Sequence, residues 1–256
     1  MSDLKLLLKG CGFVFAPLFD FLRNCFDSYR VVSIVGGGGK TSLMIALKDT
    51  FVSCGYSVML TTTTHLSKNV DYGVGRIISG METWVPASGE SVLLVREEPL
   101  TGKFCAPDPI AMKRVGDACD KVIIEADGSK GLPLKYHNDS EPVVLDSSEV
   151  MVSVLGLDSL GAPIADVMHR YELYEKAYGA SADRIADCSD LERIISDPNG
   201  SFRCAPDGAV RFMFLNKADS LYEKDLRTIR GVIALARRLN CSIISIREGY
   251  AAMPID

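Results

Sequence analysis

A run of four glycines, followed by a lysine and two hydroxyl residues, carries the side chains best suited to chemistry in this chain. Residues 31–42 read VVSIVGGGGKTS, so the candidate residues are Gly36, Gly37, Gly38, Gly39, Lys40, Thr41 and Ser42. Glycines let consecutive backbone N–H groups turn toward an anion, and a helix that starts there adds the positive end of its dipole. Lys40 can reach the β- and γ-phosphates of a nucleotide, and the Thr41 hydroxyl can bind Mg²⁺. The segment therefore predicts a site for a nucleoside triphosphate.

The spacing of this glycine loop differs from the usual phosphate-binding motif. The pattern G-x-x-x-x-G-K-[ST] would require a glycine where the chain has Ile34, so only G-x-x-G-K-T-S from Gly36 remains. The context still fits, because a buried-strand pattern precedes the loop, and Leu43, Leu47 and Phe51 fall on one face of a helix after it. A flexible linker is the alternative, but a linker has no need for Lys-Thr at the start of a helix.

A second group of polar residues follows an apolar run, where residues 122–131 read VIIEADGSKG. Ligands of open α/β sheets collect beyond the carboxyl ends of the strands, so we expect Glu125 and Asp127 near the glycine loop. One carboxylate can hold Mg²⁺, the other can orient an attacking water, and Lys130 can offset charge on a transferring phosphoryl group. The alternative is a solvated acidic turn.

The third group is the sequence NKAD at residues 216–219. An aspartate carboxylate can accept hydrogen bonds from both N1–H and the exocyclic amine of guanine, a pattern that adenine does not offer. We therefore expect Asp219 to read the base, the stem of Lys217 to cover the ring, and Asn216 to tie this loop to the glycine loop. Asp219 could instead cap a helix that begins near residue 221.

Four threonines and a histidine, Thr61 to His65, close a further predicted strand. Their place allows contact with Mg²⁺-bound waters, a γ-phosphate or a second substrate, and His65 could act as an acid, a base or a metal ligand. The alternative is a buried histidine on a threonine-rich strand end. Arg170, which follows His169, could clamp an anion or form an ion pair with Glu172 at a helix start.

The elements that must position these residues alternate between strand-like and helix-like segments, which indicates parallel strands joined by crossover helices. We predict strands at 31–35, 57–61, 121–125, 150–155, 210–215 and 241–246. We predict helices at 40–54, 109–118, 170–178, 182–195 and 221–239. Short extended pieces at 73–79, 91–96 and 103–106 suggest an antiparallel addition at one sheet edge. The prediction is an α/β, three-layer P-loop NTPase fold over residues 31–256, preceded by an N-terminal helical extension over residues 1–30.

Composition narrows the class of partner. The net charge is −5 over 256 residues, which argues against nucleic acid or an anionic membrane as the main partner. Eight cysteines without a C-x-x-C pair indicate reduced thiols and a cytoplasmic protein. The apolar N-terminal segment is interrupted by Lys5, Lys9 and Asp20, so we predict no membrane span.

In their order, the motifs resemble one family. The strings VGGGGKTSLM, TTTTH, IEADGSKGLPLK, EPVV, HR-x-E and NKAD resemble the YqeC-type family, accessory proteins for selenium-dependent molybdenum hydroxylases. The resemblance runs from about residue 31 to the C-terminus. It implies a P-loop NTPase fold and a part in maturing a selenium-containing molybdenum cofactor. Tyr136 and His137 replace the expected Ala-Pro, and Ser140 stands where a histidine commonly precedes Glu-Pro, so these positions are interpreted as part of a second-substrate region.

Two further resemblances bear on the nucleotide. The E-x-x-G pattern from Glu125 to Gly128 is similar to the Walker B variant of metal-chaperone GTPases, which, together with NKAD, favours GTP over ATP. The shortened glycine loop resembles that of Mur-type ligases, which keeps ATP-dependent chemistry open. We therefore expect Mg²⁺-dependent binding and slow hydrolysis of GTP for a client molybdenum hydroxylase or its cofactor. The alternatives are a kinase or ligase with a small acceptor at residues 61–65 and 130–135, and a scaffold that binds nucleotide without turnover.

Overall fold

The computed structural model describes residues 2–79, 84, 86–99 and 102–255. A twelve-stranded mixed sheet runs through it, and a separate pair, β9 with β11, is parallel. The strands are β1 (Phe13–Pro17), β2 (Val31–Gly36), β3 (Val58–Thr62), β4 (His65–Ser67), β5 (Arg76–Ser79), β6 (Ser91–Glu98), β7 (Lys103–Cys105), β8 (Lys121–Glu125), β9 (Leu134–Lys135), β10 (Val150–Gly156), β11 (Met168–His169), β12 (Val210–Asn216), β13 (Ser242–Ser245) and β14 (Tyr250–Pro254).

Helices join most of these strands and cover both faces of the sheet. They are α1 (Ser2–Gly10), α2 (Leu18–Phe26), α3 (Lys40–Ser53), α4 (Pro109–Ala118), α5 (Ile164–Val167), α6 (Tyr171–Tyr178), α7 (Cys188–Ser196) and α8 (Leu226–Arg238), with 3₁₀ turns at Leu157–Ser159 and Ala218–Glu223.

The order of strands across the sheet creates a crevice beside β2. Seven neighbouring strands are parallel, in the order β13, β12, β10, β2, β8, β3 and β6. From β2 the chain crosses to β3 and returns to β8 on one side, and it then continues through β10 and β12 on the other. The direction of winding therefore reverses at β2, and open α/β sheets bind ligands at the carboxyl edge of such a reversal.

Alternate side chains of the central strands pack against different helical layers, as the two-residue period of a strand requires. Val32 and Ile34 of β2 share one buried cluster with side chains of α2 and α3. Val31 and Val35 point the other way, into a cluster that includes α4. Helices α1, α7 and α8 cover the rest of that second face. The predicted three-layer α/β architecture with a mostly parallel sheet is confirmed.

The N-terminal segment is not the helical extension that we predicted, because a strand lies between its two helices. Strand β1 pairs antiparallel with β14, with Phe13 opposite Pro254, and so forms one edge of the main sheet. The apolar run of β1 supports pairing at an edge, since aromatic and β-branched residues favour strands. Leu4 and Leu8 of α1 are buried in the main core.

One strand pairing and two helix boundaries also differ from the sequence-based expectations. Antiparallel pairs lie at both edges of the sheet, and β5, expected in the antiparallel addition, is parallel to β6. Helix α7 begins at Cys188 instead of 182, because Asp187 and Asp190 form a capping box there. Helix α8 begins at Leu226 instead of 221, because Asp225 accepts a hydrogen bond from the Thr228 amide at 2.8 Å.

Candidate functional site

A cleft of about 1300 Å³ opens at the carboxyl ends of strands β2, β8 and β12. Nine of the predicted site residues line it: Gly37, Gly39, Lys40, Thr41, Ser42, His65, Glu125, Lys130 and Lys217. The other five, Gly36, Gly38, Asp127, Asn216 and Asp219, are not among the described residues of its lining and lie behind or beside it. Most of the predicted residues therefore share one edge of the sheet.

The glycine loop packs so closely against its neighbours that a side chain would not fit. A Cβ added to Gly36, Gly37 or Gly38 would lie within 3.0 Å of backbone atoms in the segments around Pro133 and 154–156. Gly36 and Gly39 also have positive φ angles of 98° and 104°, which favour glycine. Dense backbone packing is thus one physical reason for the four glycines.

The backbone amides of the glycine loop already have acceptors within the protein, whereas those of the first turn of α3 do not have one within the helix. Gly36 N–H donates to Asp127 Oδ2 at 2.9 Å, Gly37 N–H to Val154 O at 3.0 Å and Gly38 N–H to Pro133 O at 2.8 Å. The first hydrogen bond within α3 runs from Leu43 N–H to Gly39 O at 3.0 Å. The amides of residues 40–42 precede it, so they have no acceptor within the helix. The N–H groups of the first turn of α3 therefore face the cleft as potential anion donors.

Lys40 is held inside the protein by its own loop and by two carboxylates. Its ammonium donates to Gly36 O at 2.6 Å and lies 3.2 Å from Asp127 Oδ1 and 3.9 Å from Glu125 Oε1. The side chain is buried. A bound anion would therefore compete with Asp127 for the Lys40 ammonium.

Asp127 is the centre of a buried group of polar side chains that also includes Lys40, Lys135 and His137. Lys135 Nζ lies 3.4 Å from Asp127 Oδ2, and His137 Nε2 lies 2.8 Å from the same oxygen. His137 Nδ1 faces the Gly200 carbonyl at 2.9 Å. Both neighbours of the imidazole, the Asp127 carboxylate and the Gly200 carbonyl, are hydrogen-bond acceptors, so the ring can donate a hydrogen bond to Asp127.

The ionisation of Asp127 depends on these neighbours. Complete burial acts to raise its pKa, but Lys40, the hydrogen bond from His137 and Lys135 outweigh burial and hold the pKa below the ordinary range for aspartate. The carboxylate is therefore charged in the folded protein, and it is stabilised by two lysines and the hydrogen bond from His137.

Thr41 and Glu125 form a hydrogen-bonded pair of oxygen groups in the lining of the cleft. Thr41 Oγ1 donates to Glu125 Oε2 at 2.9 Å. Burial raises the pKa of Glu125, and Lys40 opposes this effect. A hydroxyl and a carboxylate are oxygen ligands of the kind that Mg²⁺ prefers, usually with several waters retained. Within the described part of the chain, no three His, Cys, Asp or Glu side chains gather around one point.

The threonine-rich strand end is used mainly for structure in this conformation. Thr61 Oγ1 donates to Leu94 O, Thr62 Oγ1 to Glu125 O and Thr63 Oγ1 to Val143 O, at 2.7–2.8 Å. These bonds fix the end of β8 and its neighbours. His65 instead lies on the cleft wall, half-exposed, with Nε2 3.4 Å from Glu98 Oε2.

The predicted base-reading residues form a loop that is bonded to the glycine loop. Asn216 Nδ2 donates to Gly38 O at 2.8 Å, and Asn216 Oδ1 accepts from Ile246 N–H at 3.3 Å. Lys217 pairs with Asp158 at 2.6 Å. Asp219 accepts a hydrogen bond from Ser245 Oγ at 2.7 Å, and it does not cap α8, because Asp225 does.

Lys130 and two residues near α6 complete the cleft. Lys130 adopts a left-handed backbone with φ 52°, and Arg170, which precedes α6, does so with φ 65°. The Arg170 guanidinium pairs with Glu141 at 2.8 Å, so Arg170 is part of an ion pair with a partner other than Glu172. Burial, followed by the charges of Lys135, Arg170 and Lys130, lowers the pKa of His169 to about 4. His169 is therefore neutral near pH 7.

Sequence reasoning did not find the structural roles of Lys135, His137 and Glu141. Lys135 Nζ donates to Glu141 Oε2 at 2.5 Å and to Gly128 O at 2.6 Å, and with His137 it surrounds Asp127. The sequence offered one signal, the Tyr-His pair where Ala-Pro was expected. That signal pointed to a second substrate and gave no indication of a buried counter-ion.

Comparisons with known proteins show what the chain is similar to. A family model described as YqeC protein matches residues 32–172. An uncharacterised protein named YqeC from Escherichia coli (strain K12) is 30% identical over 204 residues, which cover 73% of this chain and 75% of that protein. No solved structure matches the chain significantly. No helix in the described ranges is long and apolar enough to cross a bilayer. On the family match and the relative together, the chain belongs to the YqeC family.

Proposed function

We propose that the protein binds a purine nucleoside triphosphate, most favourably GTP, with Mg²⁺ and hydrolyses it slowly. The observation that carries this proposal is the convergence of three anion- and ion-binding features at the switch point of the sheet. These features are the free first-turn amides of α3, the Lys40 ammonium and the Thr41–Glu125 oxygen pair. Amide donors and a helix dipole at a helix N-terminus favour phosphate.

Each residue then has a physical task in binding. The amides of residues 40–42 donate to the β- and γ-phosphates, and the glycines allow this approach because they carry no side chains. Lys40 exchanges part of its contact with Asp127 for a phosphate oxygen. Asp127 remains balanced by Lys135 and His137 after that exchange, so the carboxylate is not left without a counter-ion.

Glu125 and Thr41 supply the oxygens nearest to an ion on the triphosphate. When bound there, Mg²⁺ would neutralise charge on the β- and γ-phosphates. Glu125 also accepts a hydrogen bond from the Thr41 hydroxyl, and we assign it the positioning of the attacking water. Because Asp127 is fully buried behind Lys40, we assign it the positioning of Lys40.

Preference for GTP rests on the loop at residues 216–219. The Asp219 side chain is partly exposed, and its contacts are with the Ser245 hydroxyl and, at 3.8 Å, with Arg247. Guanine could replace such contacts with two hydrogen bonds to a charged carboxylate. Asn216 holds this loop against Gly38, so the distance between base and phosphates would be fixed by the fold.

The family resemblance extends the proposal to a biological role. We propose that binding and hydrolysis serve the maturation of a selenium-dependent molybdenum hydroxylase or its cofactor. The direct test is a deletion of the gene followed by measurement of the selenium and molybdenum content of that enzyme. A deletion strain in which the enzyme retains full metal and selenium content contradicts the maturation role and leaves nucleotide binding untouched.

The test of nucleotide binding is calorimetric titration of GTP and ATP with and without Mg²⁺. We expect Lys40→Ala to weaken both nucleotides at least about tenfold, since it removes a charge-assisted contact of about 1.5–3 kcal/mol. We expect Asp219→Ala to weaken GTP about 10- to 100-fold and to leave ATP unchanged. Asp225→Ala is the matched control, because it removes the α8 cap and should change neither affinity.

Two results would contradict the assignments. Wild-type affinity in Lys40→Ala would remove the glycine loop from the phosphate site. Equal weakening of GTP and ATP in Asp219→Ala would mean that Asp219 only supports the fold. A turnover assay with γ-labelled GTP, with and without candidate acceptors, separates hydrolysis from transfer to an acceptor and from binding without turnover.

A further inference from the structure

The cleft is larger than one nucleotide needs. Its volume of about 1300 Å³ exceeds the roughly 300–1000 Å³ of sites for single small ligands. One part of its wall consists of the glycine loop, the first turn of α3 and Glu125, to which we assigned the triphosphate. A separate part, which we call the basic wall, consists of Lys130, His169 and Arg170.

The charges of the basic wall are only partly balanced. Lys130 faces the cleft and makes no ion pair with any residue that the structure describes. Arg170 pairs with Glu141, but Glu141 also holds Lys135, so one anion faces two cations. The Nε of Arg170 is buried and has no hydrogen-bond partner among the described atoms. A positive wall in a protein of net charge −5 is a local feature that favours an anionic ligand.

The backbone holds these side chains in place. Both Lys130 and Arg170 have left-handed φ angles, which are uncommon for residues other than glycine. Strands β9 and β11 pair residue by residue, with His169 opposite Lys135. This pairing connects the basic wall to the buried group around Asp127, which Lys40 also contacts. The basic wall and the triphosphate part of the cleft are therefore connected through Lys135 and Asp127.

We propose that the basic wall is a subsite for a second substrate, a small phosphate-bearing molecule that lies beside the triphosphate. This inference rests on the proposed function, because the two ligands share one cleft. A phosphate group suits the wall because its two negative charges match Lys130 and the incompletely balanced Arg170, and because arginine binds phosphate oxygens through paired N–H groups. His169 is uncharged there and can hydrogen-bond the ligand.

His169 provides a direct measurement, because the protein has three histidines and their imidazole NMR signals can be assigned with His65→Gln and His169→Gln variants. The cations Lys135, Arg170 and Lys130 depress the pKa of His169, while Glu141 raises it. A bound dianion would favour the protonated ring. In protein saturated with Mg²⁺ and a non-hydrolysable GTP analogue, we expect inorganic phosphate to raise the pKa of His169 by about 1.

Two variants make the test specific. Lys130→Ala should abolish the response of His169 to phosphate while analogue binding persists. Lys113→Ala is the matched control, since Lys113 lies on α4 in an exposed pair with Asp117, and its response should equal that of the wild type. Analogue binding without a phosphate response, or an equal response in Lys130→Ala, overturns the subsite alone. Failure of the analogue to bind overturns the proposed function, and the subsite with it.

Discussion

Replacing Asp127 with asparagine removes the anion around which Lys40, Lys135 and His137 are arranged. Lys40 Nζ, Lys135 Nζ and His137 Nε2 lie 3.2, 3.4 and 2.8 Å from its carboxylate oxygens. Neutralising one partner of a buried ion pair costs about 3–5 kcal/mol, because the remaining charge is left without compensation. Lys135 keeps Glu141 at 2.5 Å, so one of the two lysines retains a counter-ion and we expect a loss near the lower end, about 3 kcal/mol.

Thermal unfolding followed by circular dichroism measures this loss. For a domain of this size, about 3 kcal/mol corresponds to a fall in Tm of roughly 6–12 °C. Asp139→Asn is the matched control, because Asp139 is solvent-exposed and pairs with Arg203 at 3.0 Å, and exposed pairs contribute little. We expect the Tm of this control to equal that of the wild type.

The same pair of proteins gives a pH dependence with a defined sign. Since the folded protein lowers the pKa of Asp127, its stabilisation is fully present above the unfolded value of about 3.9 and is lost as the pH falls below it. The difference in Tm between wild type and variant should therefore shrink below about pH 4. A fall in Tm of less than about 2 °C at pH 7, or a difference that stays constant to pH 3, would refute the role of Asp127 as the shared counter-ion.

Three further outcomes follow from the geometry of the site. Gly37→Ala would place a Cβ within 3.0 Å of neighbouring backbone and should cost about 1–3 kcal/mol in urea unfolding, whereas Gly10→Ala, with nothing within 4 Å, should leave the midpoint unchanged. Because burial raises the pKa of Glu125, protons compete with Mg²⁺ for this carboxylate at a higher pH than they would for an exposed glutamate. Mg²⁺ affinity measured by calorimetry should therefore rise with pH, and a pH-independent affinity in the wild type would contradict this reasoning. Asn216→Ala removes the amide that donates to the glycine loop, so it should weaken GTP and ATP alike and cost about 1–3 kcal/mol; unaltered binding would show that the loop holds its shape alone.

The sequence predicted the central sheet well because each of its strands can be recognised from its own residues. The six predicted parallel strands are present, with boundaries that agree to within one or two residues, since continuous β-branched and apolar runs indicate strands buried on both faces. Strand β1 was missed because its neighbours in the sequence are helical and its partner β14 lies at the far end of the chain. Pairing between distant segments leaves no periodic pattern in either one.

The parts of the candidate site that consist of a sequence motif could be predicted. The parts whose positions depend on tertiary packing could not. The glycine loop, Glu125 and the NKAD loop were placed at one edge of the sheet by the rule that ligands gather at the carboxyl ends of strands. The buried contacts of Lys40, Lys135 and His137 with Asp127 were not predicted, because a loop of irregular backbone places His137 beside Asp127. The threonine hydroxyls were expected at a ligand, but those of residues 61–63 bond to carbonyls within the fold.

The pairing of β1 with β14 makes one segment depend on another that is synthesised much later. Until Tyr250–Pro254 has left the ribosome, Phe13–Pro17 has no strand beside it, and the apolar side chains of the early helices lack part of their cover. Contacts between such distant residues close late because of the entropy of the intervening loop. A nascent chain that does not yet include β14 would therefore carry an unpaired, aromatic strand, and this edge would be exposed to aggregation or to chaperone binding.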